Sequence, residues 1–514
     1  MRGLLMFDLI ISGGRIADGT GRPAYAADIA VSGGRIAAIG DLRGESAKEI
    51  LDAGGMIVAP GFIDAHAHSD TCFLKDGCGA SKLFQGITTE VTGQCGMSPF
   101  PSCQHESFDA LARALEESAG MAVNQAILCC HGSLRAAEVG LEDRLAAPQE
   151  IKKMQALLAR ELESGAWGMS LGLEYSPGFF AGRDELTALA ETAAAYGAPV
   201  TCHMRNEGTD ILAAIDELAE IGRASGAHVH ISHIKIDNYR MHGNAEKVWA
   251  HVEAIRRGGV NLTADIYPFT ASSTGLSIRC PKWSREGGDE AVSRCLTGTR
   301  RAEVIEGIRS HYFNQERAAT CLIGDDAGYW PEIVGKTLPE IAHEMLHTQD
   351  YAEAAAEILV RTHGRASGVF FVMSEKDMLY FLSRDVGIGS DGYALPCEPD
   401  KVGYKPHPRS YAAIAEFFRL AREYHICSVE EAVRRVTKKA ADMIGMTDRG
   451  VLAPGMVADI TVFDPDVIAP GATYMNPIAP AKGVRHVVVG GGIALRDGAQ
   501  TALRGGSFLR KPRM

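Results

Sequence analysis

The sequence predicts an α/β protein built on a (β/α)8, TIM-like barrel, and three observations carry that prediction. Apolar strand-like runs alternate with helical segments through the middle of the chain, eight such runs can be counted, and chemically capable polar residues fall at their C-terminal ends. In this fold catalytic groups sit on the face formed by the loops that follow the strands.

The 514 residues, 46% hydrophobic and 23% charged, are enough for one large domain with a smaller one beside it. Near the start, FDLIISGGRIADG and DIAVSGGRIAAIG alternate apolar and polar residues and break at Gly-Gly or Asp-Gly turns. ADITVFDPDV and VRHVVVGGGIALRDG repeat the pattern near the other end, so the two ends are expected to pair into one sheet. The boundaries that follow are 1–60 and 446–514 for this β-rich part and 61–445 for the barrel.

The eight strand candidates are, in order, GFIDAHAH, TTEVTGQC, AILCCHGS, GMSLGLEY, PVTCHMR, HVHISHIK, NLTADIYP and VGIGSDG. Between them lie helical patterns such as ELTALAETAAAYG and DILAAIDELAEIGRASG, the second closed by a helix-stopping glycine. The stretch from Pro268 to Val386 is far longer than a strand-to-helix loop needs, so an insertion is expected between strands seven and eight. Helical patterns such as RRAEVIEGIRSHYF and YAEAAAEILVRTHG place a small substructure over about 285–350. The seventh barrel helix is then expected near 351–366, with the insert over the barrel mouth.

His66 and His68 end the first run, Cys95 the second, His203 the fifth, His233 the sixth and Asp391 the eighth. Residues i and i+2 of a strand share a face, so His66 and His68 can point at one ion while Ala67 faces away. Neutral imidazole suits zinc, and histidines from separate strands can complete a site that keeps a coordination position open for water.

Lys+Arg of 52 against Asp+Glu of 64 gives a net charge of −12, with no basic run to follow a phosphate backbone, which argues against a nucleic-acid partner. No uncharged apolar stretch reaches the roughly 18 residues of a membrane span. The opening MRGLLMFDLIISGG is interrupted by Asp8 and precedes no small-residue cleavage site. Twelve scattered cysteines look like reduced thiols. A cytoplasmic protein is expected, and homo-oligomerisation is compatible with the sequence.

GFIDAHAHSD, QGITTEVTGQCGMSP, TCHMRNE, ISHIK, DIYPFTASS and GIGSDG together resemble the amidohydrolase superfamily, and within it the N-acyl-D-amino-acid deacylases, or D-aminoacylases. The resemblance runs from the first β-stretch through ADITVFDP. It implies a metal-dependent barrel with a small β-sandwich made from both chain ends. Many superfamily members bridge two metals with a carboxylated lysine on strand four, which GMSLGLEY lacks; in the deacylase branch a cysteine after strand two is a metal ligand, here Cys95. The implied tight zinc site is Cys95, His203 and His233, with His66, His68 and Asp391 around a second, weaker position. Glu174 is either a substitute bridging carboxylate or a solvated loop residue.

Zinc lowers the pKa of a bound water toward about 7 and polarises the scissile carbonyl. Asp391 is expected to take the proton and return it to the leaving amine as general base and then acid. Lys235, two residues after His233, is either a holder of the substrate carboxylate or a salt-bridge partner. Tyr267 and Tyr175 offer hydroxyls or simply pack. Arg279 meets an acidic side chain or is solvated. Superfamily members of this branch often carry arginines after the MSE motif, whereas MSEKDMLYFL has Leu379 and Tyr380 there, which leaves side-chain preference open.

His228 and His230 read as packing residues, His131 as structural or catalytic, His407 as a residue ordering the loop after Asp391, and Cys129 and Cys130 as small buried residues. The expected activity is hydrolysis of N-acyl-D-amino acids to a carboxylate and a free D-amino acid, the D preference resting on the resemblance alone. The alternatives are a cyclic amidohydrolase of the hydantoinase or dihydroorotase kind, a dipeptidase or, more remotely, a non-catalytic scaffold. The missing strand-four lysine and Cys95 argue against the cyclic-amide group.

Overall fold

The structure, a computed structural model, describes residues 6–102, 104–311 and 319–513. The first five residues of the opening apolar stretch, and Tyr312 and Phe313 at the end of RRAEVIEGIRSHYF, lie outside the described residues.

Parallel strands follow one another in chain order. Phe62–Asp64 pairs with Ile87–Thr92, which pairs with Asn124–Ile127. One residue further on, Cys129–Cys130 pairs with Met169–Gly172, which leads to Val200–His203, Val229–Ile231, Leu262–Ile266 and Gly387–Ile388. The last meets the first just beyond their ends: Ala67 and Gly392 form a parallel bridge, and the Asp391 amide donates to the His66 carbonyl at 2.7 Å. The strand residues are buried almost throughout because helices cover the outer face, as parallel sheets require. Helix residues such as Leu158, Leu189, Leu218 and Val252 share their apolar core with Val200, Val229 and Leu262.

The third run departs from AILCCHGS. Its strand ends at Cys130, and a helix, His131–Glu138, begins at once.

The insertion has its own core. Ser272–Gly275, Ser367–Phe370 and Cys321–Asp325 form an antiparallel three-stranded sheet, packed by helices Asp289–Thr297, Arg301–His311 and Tyr351–Arg361 around Val292, Ile305, Ile323, Ile358 and Leu359. Tyr351–Arg361 therefore belongs to the insert and is not the seventh barrel helix. The helix that precedes the last parallel strand is Glu375–Leu382, whose Met378, Phe381 and Leu382 enter the core shared with the parallel strands. Both segments are amphipathic, and helical periodicity does not name the surface an apolar face will cover.

The chain ends build two sheets, and the expected pairing of the two ends is found in one of them. Phe7–Ser12 is flanked by Asp28–Ser32 and Ala47–Asp52, with Arg35–Gly40 outside. The other sheet joins the two ends, Ile57–Pro60 running antiparallel to Ile460–Phe463 with Val58 opposite Val462. Leu9, Val31, Val58, Ile460 and Val488 form one core between the sheets. The chain then leaves them: Phe508–Leu509 pairs in parallel with Gln125–Ala126 of the third barrel strand. It covers the edge left free because pairing to Met169–Gly172 starts only at Cys129.

Candidate metal centre

The ends of the parallel strands and the loops that follow them bring six predicted residues together. Cys95 Sγ lies 3.3 Å from both His66 Nε2 and His233 Nε2, and His203 Nδ1 lies 3.0 Å from His233 Nε2. His68 Nε2 is 2.9 Å from Asp391 Oδ1, and His66 Nε2 is 3.7 Å from the same oxygen. His66, His68, Cys95 and Asp391 form one convergent donor group and Cys95, His203 and His233 another, so the Cys95 thiol is shared.

Local backbone conformation makes this convergence possible. Cys95, His233 and Asp391 have φ of 54°, 37° and 51°, a left-handed conformation that costs a non-glycine residue about 1–3 kcal/mol and tends to occur at functional sites. Each lies two or three residues beyond the end of its strand, and all three line the same cavity.

Behind three of the four histidines stands a carboxylate. Asp265 Oδ2 lies 3.6 Å from His66 Nδ1, Glu207 Oε1 lies 3.1 Å from His233 Nδ1, and Glu174 Oε2 lies 3.0 Å from His203 Nε2. A carboxylate on the far nitrogen fixes the tautomer and orientation of a ligating imidazole. Glu174 thus sits outside the two groups that share Cys95, where a bridging carboxylate would have to lie between them.

The electrostatics suit a cation. Burial pushes the Cys95 thiol well above its usual pKa, and burial with the neighbouring Lys235 ammonium pushes His233 down to about 3, which keeps its imidazole neutral. Burial also opposes ionisation of Asp391, but Arg409, with Nη1 2.7 Å from Asp391 Oδ2, and the adjacent histidines outweigh it and hold the carboxyl well below its usual range. A thiol and several imidazole nitrogens converging in a mostly dry site are a zinc donor set, and a divalent ion would favour the thiolate.

The group opens into a cavity of about 1000 Å³ lined by Lys235, Tyr267, Tyr175 and Arg279. Lys235 carries a buried ion pair with Glu207 and lies 3.0 Å from His233 Nδ1. The Tyr175 ring packs on His203 at 4.6 Å, and the Tyr267 hydroxyl is buried without a hydrogen-bond partner among the described residues. Arg279 lies over the Phe370 ring at 4.3 Å. His131 is held by Glu185 at 2.7 Å away from the cavity lining, and His228 and His230 both meet Thr263. His407 Nε2 faces the Ala271 carbonyl at 3.0 Å, and Cys129 and Cys130 are fully buried.

Asp265, Glu207 and Arg409 were not singled out from the sequence. Asp265 was detectable: it precedes Tyr267 by two and so shares its strand face. Glu207 lies in a loop and Arg409 opens the helix Arg409–Glu423, where no period marks the inward side.

The model of the amidohydrolase family matches residues 49–294 and 386–494. An N-acyl-D-glutamate deacylase of Alcaligenes xylosoxydans xylosoxydans is 35% identical over 98% of this chain and 96% of its own. A D-aminoacylase from the same organism is 32% identical over 98% of both chains. The crystal structure of the Bordetella bronchiseptica N-acyl-D-glutamate deacylase, complexed with zinc and a phosphonate mimic of the tetrahedral intermediate, superposes with a TM-score of 0.83 at 32% identity, covering 98% of this chain and all of the other.

Proposed function

The chain belongs to the amidohydrolase family, and from that premise we propose that it hydrolyses the amide bond of N-acyl-D-amino acids, releasing a carboxylate and a free D-amino acid. The observation that carries the reading is the pair of donor groups sharing Cys95 at the floor of a cavity large enough for a small acylated amino acid. Relatives similar over nearly the whole chain act on such substrates.

Cys95, His203 and His233 would hold one zinc ion, and His66, His68, Cys95 and Asp391 would offer a second, weaker position. When bound, zinc supplies the Lewis acidity that lets water ionise near neutral pH and polarises the scissile carbonyl. The ionised Asp391 carboxylate accepts the proton of the attacking water and delivers it to the departing nitrogen. Arg409 keeps that carboxylate charged and, with His68, fixes its direction. Tyr267, whose hydroxyl is buried without a partner among the described residues, and Lys235 would meet the α-carboxylate, while Tyr175 and Arg279, which line the same cavity, would face the substrate side chain.

The eight parallel strands act as one closed barrel, and the two sheets built from residues 7–60 and 460–500 form a β-sandwich beside it. The insert spans about 272–370 within the barrel domain of 61–445. No helix among the described residues is long and apolar enough to cross a membrane. The described cysteines are all free, and that supports a cytoplasmic setting. Self-association into a homo-oligomer is compatible with this reading.

Chelation should abolish release of amine from an N-acetyl-D-amino acid, and added zinc should restore it. Turnover indifferent to chelation would overturn the proposal.

A further inference from the structure

We propose that Lys82, Asp64 and Ser390 form a buried positioning device that fixes the backbone of Asp391 and the orientation of His66. This inference rests on the reading of Asp391 and His66 given above. None of the three side chains touches the cavity, and each is fully buried.

Lys82 donates to Asp64 Oδ2 at 2.8 Å and to Ser390 Oγ at 3.0 Å, and it pairs with Glu90 Oε1 at 2.8 Å. Asp64 Oδ1 accepts the backbone amides of Ser390 at 2.7 Å and of His66 at 3.2 Å. Asp64 Oδ2 also accepts the Ser390 hydroxyl at 2.5 Å, and Ser390 Oγ in turn accepts the Gly392 amide at 3.1 Å. Hydrogen bonds thus grip the peptide on either side of Asp391, the residue with φ of 51°.

A non-glycine residue stays left-handed only when its surroundings over-determine it. Here the first and eighth strands meet through three backbone hydrogen bonds, Ala65 to the Ile388 carbonyl at 3.4 Å, Asp391 to the His66 carbonyl at 2.7 Å and His68 to the Gly392 carbonyl at 2.8 Å, and none of them engages Ser390. The side-chain network adds to that pairing by holding the Ser390 and Gly392 amides. One ammonium between two carboxylates also explains why a lysine is tolerated at zero exposure: without it, Asp64 and Glu90 would be buried charges lacking compensation.

A spacer serving the core alone would affect stability and nothing else. A positioning device must also affect the donor group it orients. The test is Ser390→Ala, which removes one oxygen, with Lys82→Met as a second variant, each titrated with zinc from the metal-free state and assayed with an N-acetyl-D-amino acid.

The weaker zinc affinity, assigned to His66, His68, Cys95 and Asp391, should fall about 10–100-fold, and kcat should fall similarly, with KM and the tighter zinc step changed by less than about threefold. Ser390→Ala with both zinc affinities and kcat within about twofold of the parent overturns the proposal, even if the thermal midpoint falls. Ser390→Ala decides alone if Lys82→Met is not recovered folded. The zinc titration needs no substrate, so the positioning claim is still tested if the parent hydrolyses no acylated amino acid.

Discussion

Glu174 Oε2 lies 3.0 Å from His203 Nε2, so the other nitrogen of that ring, Nδ1, faces His233 and Cys95. The carboxylate selects which nitrogen is offered to a metal. Glu174→Gln should therefore lower the affinity of the tighter zinc step by about 10–100-fold, measured by competition with a chelator. Unchanged affinity would mean that Glu174, 18% exposed on the cavity wall, faces substrate only.

Asp391 and Cys95 should fail differently. Asp391→Asn removes the proton carrier and leaves the Cys95–His203–His233 group intact, so turnover should fall about 10²–10⁴-fold with one zinc retained. Cys95→Ala removes the donor common to both groups and should lose metal and activity together. Metal analysis alongside kcat separates the two outcomes.

Lys235 compensates Glu207, a carboxylate only 3% exposed. Lys235→Met leaves that charge unpaired and should cost about 3–5 kcal/mol of stability. A lysine serving only the substrate carboxylate would raise KM and leave the urea midpoint unmoved.

Glu185 predicts an acid-labile contribution to folding. Burial raises its pKa, but His131 and Arg135 pull it down further, leaving the folded value below the usual carboxylate range. The unfolded state therefore binds the proton more readily, so this stabilisation is present above about pH 4.3 and is lost as pH falls through the folded pKa. Glu185→Gln should lower stability at neutral pH by about 3–5 kcal/mol and flatten the acid arm of a urea-midpoint profile.

The sequence was most informative where strand periodicity and chemistry coincide. His66, His203 and His233 end apolar runs, and His68 shares a face with His66 by the i, i+2 rule, so their convergence followed from one fold assumption. The same rule would have exposed Asp265, had the inward face of NLTADIYP been followed through. Glu207 is a loop residue and Arg409 stands in the first turn of a helix, and the direction of each depends on tertiary contacts that no local pattern carries. The helix at 351–361 was assigned to the barrel because its apolar stripe fits either core; only the three-stranded insert sheet reveals its partner. The detour of Phe508–Leu509 to the third barrel strand is a pairing between distant segments, invisible to alternation within either one.

The central claim is tested most directly by amine release from paired N-acetyl-D- and N-acetyl-L-amino acids, using zinc-loaded protein and a chelated control. The account predicts chelator-sensitive turnover confined to the D series. Turnover of L substrates at equal rates, or none in either series from protein that retains its zinc, would contradict it.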